Sequence, residues 1–115
     1  MAYDIKLADR VRAFLSEAPN IDIEEKEMFG VLNFLVNKKT CVCIRADHLM
    51  LRFAPALHEQ LSESIGYEPM YLKGKIYKGY CYMHSEGFRT QREFASLIQL
   101  CLDYNTIVKK TKRKK

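Results

Sequence analysis

The most apolar run in the chain reads Met28-Phe29-Gly30-Val31-Leu32-Asn33-Phe34-Leu35-Val36. It is rich in β-branched and aromatic residues, and it is too short to be a buried helix. We therefore interpret this run as a β-strand.

The residues around this run predict further strands. Asn37-Lys38 forms a turn into a strand over 40–46, and Asp47-His48 forms a turn into a strand over 49–53. Residues 21–53 as a whole are interpreted as strands. Because short turns join neighbouring strands, we expect an antiparallel meander.

Helical periodicity marks both ends of the chain. Asp4 is a predicted N-cap, and Pro19-Asn20 ends the first helix. The apolar stripe of that helix is Ile5, Ala8, Val11, Leu15 and Ala18. Near the other end, Thr90 and Glu93 fit a capping box. The stripe behind the box is Phe94, Leu97, Ile98, Cys101 and Leu102.

A short helix and two strands are predicted between these parts. Pro55 fits the first helical position, and Gly66 ends the helix. Its apolar stripe is Leu57, Leu61 and Ile65. A strand over 67–72 follows, in which Pro69 predicts an edge position, because proline cannot donate to a ladder. After a turn over 73–75, residues 76–83 alternate as the last strand, so the predicted order is α-β-β-β-α-β-β-α.

Length and composition fit one globular α+β domain. The chain has 115 residues, of which 48% are hydrophobic and 29% charged. No run approaches the roughly 20 apolar residues of a membrane-spanning helix, and the N-terminus lacks the pattern of a signal peptide. We therefore expect a cytoplasmic protein whose four cysteines stay reduced.

Positive charge is concentrated at the C-terminus. Six of the 19 basic residues lie there, namely Lys109, Lys110, Lys112, Arg113, Lys114 and Lys115. Without them, 13 basic side chains stand against 14 acidic ones, so the rest of the chain has a net charge of −1. We predict a folded domain over 1–108 and a disordered basic tail over 109–115.

Several short blocks resemble the N-terminal domain of the TfoX/Sxy competence-regulator family. They begin with Met1-Ala2-Tyr3-Asp4 and Lys26-Glu27-Met28-Phe29-Gly30, and continue with Phe34-Leu35-Val36-Asn37, Cys43, Leu51-Arg52, Pro69-Met70, Lys78-Gly79-Tyr80 and Tyr82. The resemblance covers nearly the whole chain up to the tail. Its signature residues here are Met28, Phe29, Gly30, Arg52, Gly79 and Tyr80.

The resemblance implies a fold and a class of function. The implied fold is α-β(3)-α-β(2)-α, with helices on a five-stranded antiparallel sheet. The implied function is that of a bacterial, non-catalytic regulatory or protein-interaction module. The expected partner is another protein or a second copy of the chain in a homodimer. The chain resembles a single-domain member that lacks the family's C-terminal domain.

The sequence departs from the family pattern at two positions that often hold glycine. Val31 replaces a second glycine after Met28-Phe29-Gly30, and Lys38 replaces a glycine after Asn37. Because a two-residue mirror-image turn favours glycine, we expect a longer or looser turn at Asn37-Lys38.

Cysteine and histidine raise the questions of metal binding and catalysis. Cys41 and Cys43 alternate on one strand, which predicts that their sulfurs share a face. Cys81 and the histidines at 48, 58 and 84 are the remaining candidates. Alternate strand positions lie about 7 Å apart, which fits a zinc site poorly. Cys81 and His84 have no orienting group or oxyanion loop, so we predict no metal, cofactor or enzyme activity.

Three surfaces have both a functional and a structural interpretation. Tyr71, Tyr80 and Tyr82, with Lys73 and Lys78, would suit base stacking, but tyrosine is also a good strand former, and we favour the structural interpretation. The basic tail suits either weak, non-specific nucleic-acid binding or simple solvation. For the Met28-Phe29-Gly30 block, a partner contact stands against a bulge or close backbone approach at Gly30, and we favour the latter.

Overall fold

The computed structural model describes residues 3–18 and 21–107. Within these residues the chain forms three α-helices and six strands, which confirms the α+β class. In chain order these are α1 (Ile5–Ser16), β1 (Ile23–Met28), β2 (Val31–Val36), β3 (Lys39–Arg45), β4 (His48–Arg52), α2 (His58–Ser62), β5 (Tyr67–Leu72), β6 (Lys75–Met83) and α3 (Gln91–Ile107). Short 3₁₀ turns precede α2 and α3, at Pro55–Leu57 and Ser85–Gly87.

The six strands form a single antiparallel sheet in the order β1-β2-β3-β4-β6-β5. The first four strands are sequential neighbours, so the predicted meander is confirmed. Strand β5 lies at one edge, as Pro69 predicted, and β1 lies at the other. Charged residues make up most of β1, which is typical of an exposed edge strand.

The sheet has six strands instead of the five expected. The single strand predicted over 28–36 is two strands, because Phe29 and Gly30 form a tight turn between β1 and β2. Their φ angles are 53° and 77°, both in the left-handed region. The apolar run continues across this turn, so hydrophobicity alone does not show where one strand ends.

The turn at Asn37-Lys38 is also tighter than expected. It has two residues, with φ of 52° and 67°, which is the mirror-image geometry that we expected the lysine to exclude. Asn37 explains the difference. Its backbone N–H donates to the carbonyl of Asp22 at 2.7 Å, and its side-chain oxygen accepts from the Asp22 N–H at 3.0 Å. Asparagine tolerates the left-handed region, so the Asp22 contacts hold the turn.

The helices and one face of the sheet enclose the hydrophobic core. Helix α3 packs on β3 and β4, and α1 packs beside α3. The fully buried side chains include Leu15, Phe34, Val42, Ile44, Leu49, Leu51, Phe53, Phe94 and Ile98. The stripe predicted for α3 is buried throughout.

Both predicted helix caps are present. The Asp4 carboxylate accepts hydrogen bonds from the backbone N–H groups of Lys6 and Leu7, at 2.9 and 3.3 Å. Thr90 and Glu93 accept from each other's backbone N–H groups at 3.1 Å, which is the reciprocal arrangement of a capping box.

Two residues assigned to apolar stripes lie outside the core. Ile5 is exposed, and Leu7 is buried instead, because positions two apart point to opposite sides of a helix. Ile65 is 72% exposed because α2 ends at Ser62, before the stripe reaches it.

Several predictions lie outside the described residues. They are the helix end at Pro19-Asn20, the domain boundary at 108 and the disordered state of the basic tail over 109–115. None of the helices in the described ranges has the length and apolar character needed to cross a membrane.

Candidate functional site

The two faces of the sheet have different environments. One is buried beneath the helices, and the other remains largely half-exposed. We call the second the bare face and define it by Val31, Asn33, Leu35, Cys43, Met50, Arg52, Tyr80 and Tyr82. Its central row pairs Asn33 with Cys43, Cys43 with Met50, and Met50 with Tyr82. Cys43 is buried in this row, whereas Met50 and Tyr82 are half-exposed and offer apolar and aromatic surface to a ligand or partner.

The Phe29-Gly30 turn projects from the β1–β2 end of the sheet. Phe29 is 99% exposed, and the neighbouring Met28 is 55% exposed. Met28 pairs with Val31, so its side chain lies on the side of the bare face. The Phe29-Gly30 pair is a turn between two strands, so the bulge within one strand that was favoured from the sequence was wrong. The turn combines an exposed ring with a backbone conformation that disfavours bulky side chains.

The signature residue Gly79 has a structural explanation. Its φ is 95°, and a Cβ there would lie 3.3 Å from Cγ of Pro55. Its carbonyl accepts the N–H of Phe53 at 2.9 Å, which joins the end of β4 to β6. Glycine is therefore favoured by the backbone conformation, and an added Cβ would require Pro55 to shift by a few tenths of an ångström.

The signature residues Arg52 and Tyr80 lie side by side. They are paired across β4 and β6, and the Arg52 guanidinium is 5.8 Å from the Tyr80 ring centroid. It is equally distant, at 5.8 Å, from the ring of Tyr104 on α3. The Tyr80 ring also stacks on Tyr77, with centroids 4.6 Å apart and 19° between planes. Arg52 therefore lies between two tyrosine rings at one end of the bare face.

The four cysteines are buried thiols. Burial raises the pKa of Cys41, Cys43 and Cys81 to about 12, and it raises that of Cys101 well above its usual range. All four are therefore protonated near neutral pH, whereas a nucleophile or metal ligand must be a thiolate. A metal site would need at least three suitable side chains together, and the described ranges contain no such group of His, Cys, Asp or Glu.

Cys41 and Cys43 lie on opposite faces of the sheet, so the prediction that they share a face was wrong. The pairing of β2 with β3 shifts between Phe34 and Leu35, which leaves Cys41 as the extra residue of a β-bulge. Cys41 packs in the core cluster. The thiol of Cys43 donates to the Asn33 side-chain oxygen at 3.1 Å on the bare face.

Two of the three histidines meet beside the bare face. The rings of His48 and His84 lie 4.5 Å apart, and Nε2 of His84 is 2.6 Å from the Glu68 carboxylate. Burial and then the His84 charge lower the pKa of His48. The hydrogen bond from His84 lowers the pKa of Glu68. His58 lies apart, near the Tyr67 hydroxyl.

The predicted tyrosine surface is only partly assembled. Tyr80 and Tyr82 are on the bare face, but Tyr71 lies near the outer end of β5, where it pairs with Ile76. Tyr82 instead has the Arg45 guanidinium 5.4 Å above its ring. The six cations of the basic tail lie beyond the described residues, so both interpretations of the tail, nucleic-acid contact and simple solvation, remain open.

Sequence reasoning missed Tyr77 and Tyr104 as neighbours of Arg52 and Tyr80. Tyr104 reaches this group from α3, and no local pattern relates it to β4. Strict alternation over the predicted strand 76–83 would place Tyr77 on the opposite face from Tyr80. The irregular pairing at the positive φ of Gly79 breaks that alternation. A glycine inside a strand is the signal that could have revealed the change.

One comparison with known proteins gives a match. A family model described as TfoX N-terminal domain matches residues 15–104. This range contains the Phe29-Gly30 turn, the bare face and most of α3. No curated protein and no solved structure matches the chain significantly.

Proposed function

We propose that the chain, which belongs to the TfoX N-terminal domain family, is a non-catalytic regulatory module of competence-regulator type. It acts in the cytoplasm by binding another protein, and the Phe29-Gly30 turn is the contact. The proposal concerns binding only, and it requires no cofactor or catalytic group.

One observation carries this proposal. Phe29 is almost fully exposed and has a φ of 53°. An exposed aromatic ring gains nothing from the hydrophobic effect, and a non-glycine residue in this region costs roughly 1–2 kcal/mol. Neither feature stabilises the isolated domain, so the side chain is better explained by an interaction outside it.

The neighbourhood of the turn supports a protein contact. Burying a phenylalanine side chain contributes about 1.5–3 kcal/mol, and Met28 adds a second exposed, adaptable apolar group. Behind them β1 is held to α1, because Arg12 forms a two-pronged ion pair with Glu25 at 2.6 and 2.9 Å. A preorganised apolar tip suits an anchor that fills a cavity on a partner.

The proposal is tested by site-specific photo-crosslinking in cells. A benzoyl-phenylalanine placed at position 29 is itself aromatic and keeps the anchor. The same residue placed at Lys73, in a second turn of the same backbone geometry, is the matched control. We expect a discrete crosslinked product from position 29 and none from position 73.

The product identifies the partner class by its mass. A product of twice the chain mass indicates a homodimer, and any other discrete mass indicates a different protein. Equal, diffuse labelling from both positions, or no product from position 29, would overturn the assignment of this turn as the contact.

A further inference from the structure

Two cavities adjoin at the end of the bare face, where Arg52 and Tyr80 line both. The larger has a volume of about 370 Å³, and Lys38 and Lys39 also line it. The smaller has a volume of about 210 Å³, and Lys78 is its additional cation. Among the described residues, no Asp or Glu lines either cavity. Four cations of the described residues therefore line these two adjoining cavities, and no carboxylate of those residues does. The Lys39 ammonium also donates a hydrogen bond to the Asn105 carbonyl at 2.6 Å.

The positive charge around these cavities contrasts with the charge of the rest of the chain. Outside the basic tail the chain has a net charge of −1. Over residues 69–85 there are three lysines and no acidic residue, and Lys73 and Lys75 extend the positive charge along β5 and β6. The acidic side chains are concentrated elsewhere, as in β1, where Glu25 is paired with Arg12. A local positive surface on a nearly neutral body indicates an anionic ligand.

The charge of Arg52 is available to such a ligand. Within the described ranges, no carboxylate lies at ion-pair distance from Arg52. Its guanidinium is held instead by the rings of Tyr80 and Tyr104, and by a weak hydrogen bond of 3.5 Å to the carbonyl of Thr40. A cation positioned by rings and a carbonyl keeps its full charge for an incoming phosphate.

The rings point to the rest of the ligand. Tyr77 is 38% exposed and lines the smaller cavity, and it is stacked on Tyr80. Tyrosine rings beside cations such as Arg52 and Lys78 on an open sheet are the arrangement on which unpaired bases stack while the backbone phosphates meet the cations. In a duplex the bases are already stacked inside the helix, so such a platform selects single strands.

We propose that this surface binds a single-stranded polynucleotide. The surface, which we call the tyrosine–cation track, consists of Lys38, Arg52, Tyr77, Lys78, Tyr80 and Tyr104. Bases stack on Tyr77, and Arg52, Lys38 and Lys78 contact phosphates. The track is separate from the Phe29-Gly30 turn, and it does not depend on the basic tail.

The test is fluorescence anisotropy with the full chain and labelled 12-nucleotide probes. The probes are single-stranded DNA, single-stranded RNA of the same sequence, and duplex DNA, each measured at two or more salt concentrations. The variants are Tyr77→Ala, Tyr77→Phe and Lys78→Gln. Lys6→Gln on α1 is the matched control, since it removes the same charge from an exposed site far from the track along the chain. A further full-length variant has all six tail cations changed to Gln.

We expect single strands to bind and Tyr77→Ala to weaken that binding at least about fivefold, since each base–aromatic stack is worth that much or more. Tyr77→Phe keeps the ring and should bind like the original chain. Lys78→Gln should reduce the slope of log affinity against log salt by about 0.7, the value of one single-strand phosphate contact. The tail variant should retain the response to Tyr77→Ala. A preference for DNA or RNA identifies the source of the ligand.

Three results would overturn the proposal. The first is the absence of single-strand binding at about 50 mM salt. The second is an equal loss of single-strand affinity in Lys78→Gln and Lys6→Gln with no effect of Tyr77→Ala. That result would mean that only the overall charge matters. The third is binding that disappears in the tail variant, or that favours the duplex probe.

Discussion

Two turns of the sheet have closely similar backbone φ angles but different side chains at their first position. Phe29-Gly30 joins β1 and β2 with φ of 53° and 77°, and Lys73-Gly74 joins β5 and β6 with φ of 55° and 80°. Each places a non-glycine residue in the left-handed region before a glycine. At that first position one turn has a lysine and the other a fully exposed aromatic ring.

The comparison separates what the backbone requires from what it tolerates. The lysine turn shows that the geometry forms with a solvated, charged side chain, so the fold does not need an aromatic ring there. What remains to be explained at position 29 is the ring itself. We attribute it to binding.

The largest effect should come from a phenylalanine that does stabilise the fold. Phe34 lies on β2, five positions after Phe29, and is fully buried. Phe34→Ala should lower the free energy of unfolding by about 3–5 kcal/mol, because it removes buried apolar area and leaves a cavity. Urea denaturation measures this change. A loss below about 1 kcal/mol would mean that the core is packed differently.

The glycines of the two turns should respond alike. Gly30→Ala and Gly74→Ala each place a Cβ in the left-handed region, at a cost of about 1–2 kcal/mol. At Gly74 no atom lies within 4 Å of the added Cβ, so the cost there is purely conformational. The same denaturation experiment compares them. A much larger loss at Gly30 would show that this turn has packing constraints that Gly74 lacks.

The first turn positions should also respond alike in stability. Phe29→Asn and Lys73→Asn each introduce a residue that tolerates the left-handed region, so each should raise the free energy of unfolding by up to about 1 kcal/mol. Thermal denaturation measured by circular dichroism is sufficient. If Phe29→Asn destabilised the protein by more than 1 kcal/mol, Phe29 would have a structural role in the domain.

The smallest effect concerns acid. Cross-strand pairing connects Met28 through Val31 and Arg45 to His48, whose ring lies beside His84. No histidine of the described residues lies near the Lys73 turn. The lowered pKa of His48 means that the folded state binds fewer protons than the unfolded state as pH falls through about 6.5. His48 therefore favours unfolding below that pH, although Asp47 opposes the shift.

The measurement is the unfolding temperature at pH 7.5 and at pH 5.5. His48→Gln should reduce the drop between these two values. An unchanged or larger drop would show that other groups dominate the acid response.

Local signals predicted much of the fold correctly. The Asp4 cap, the Thr90 capping box and the edge position of Pro69 each depend on residues within one element, and each was confirmed. Such features follow from the hydrogen-bonding capacity of a side chain or from the missing N–H of proline. Neighbours in the sequence are enough to predict them.

The missed features depend on conformations or contacts that sequence neighbours do not specify. Phenylalanine rarely adopts the left-handed conformation, so its presence at Phe29 gave no indication of a turn after Met28 within the apolar run. The clustering of Arg52, Tyr80 and Tyr104 depends on how α3 lies against the sheet. The Met28-Phe29-Gly30 block was therefore quoted from the sequence without its turn, and Tyr77 and Tyr104 were missed as neighbours of Arg52 and Tyr80.

Exchanging the two turn residues shows whether the Phe29 ring serves binding. The double variant Phe29→Lys with Lys73→Phe has the same composition and places both residues in backbone conformations of the same type. The measurement pairs its free energy of unfolding with the amount of complex trapped by a short amine-independent crosslinker in cells. We predict unfolding within about 0.5 kcal/mol of the original chain, as expected for surface substitutions, together with loss of the complex. An unfolding energy that stays unchanged while the complex forms in full would contradict the account.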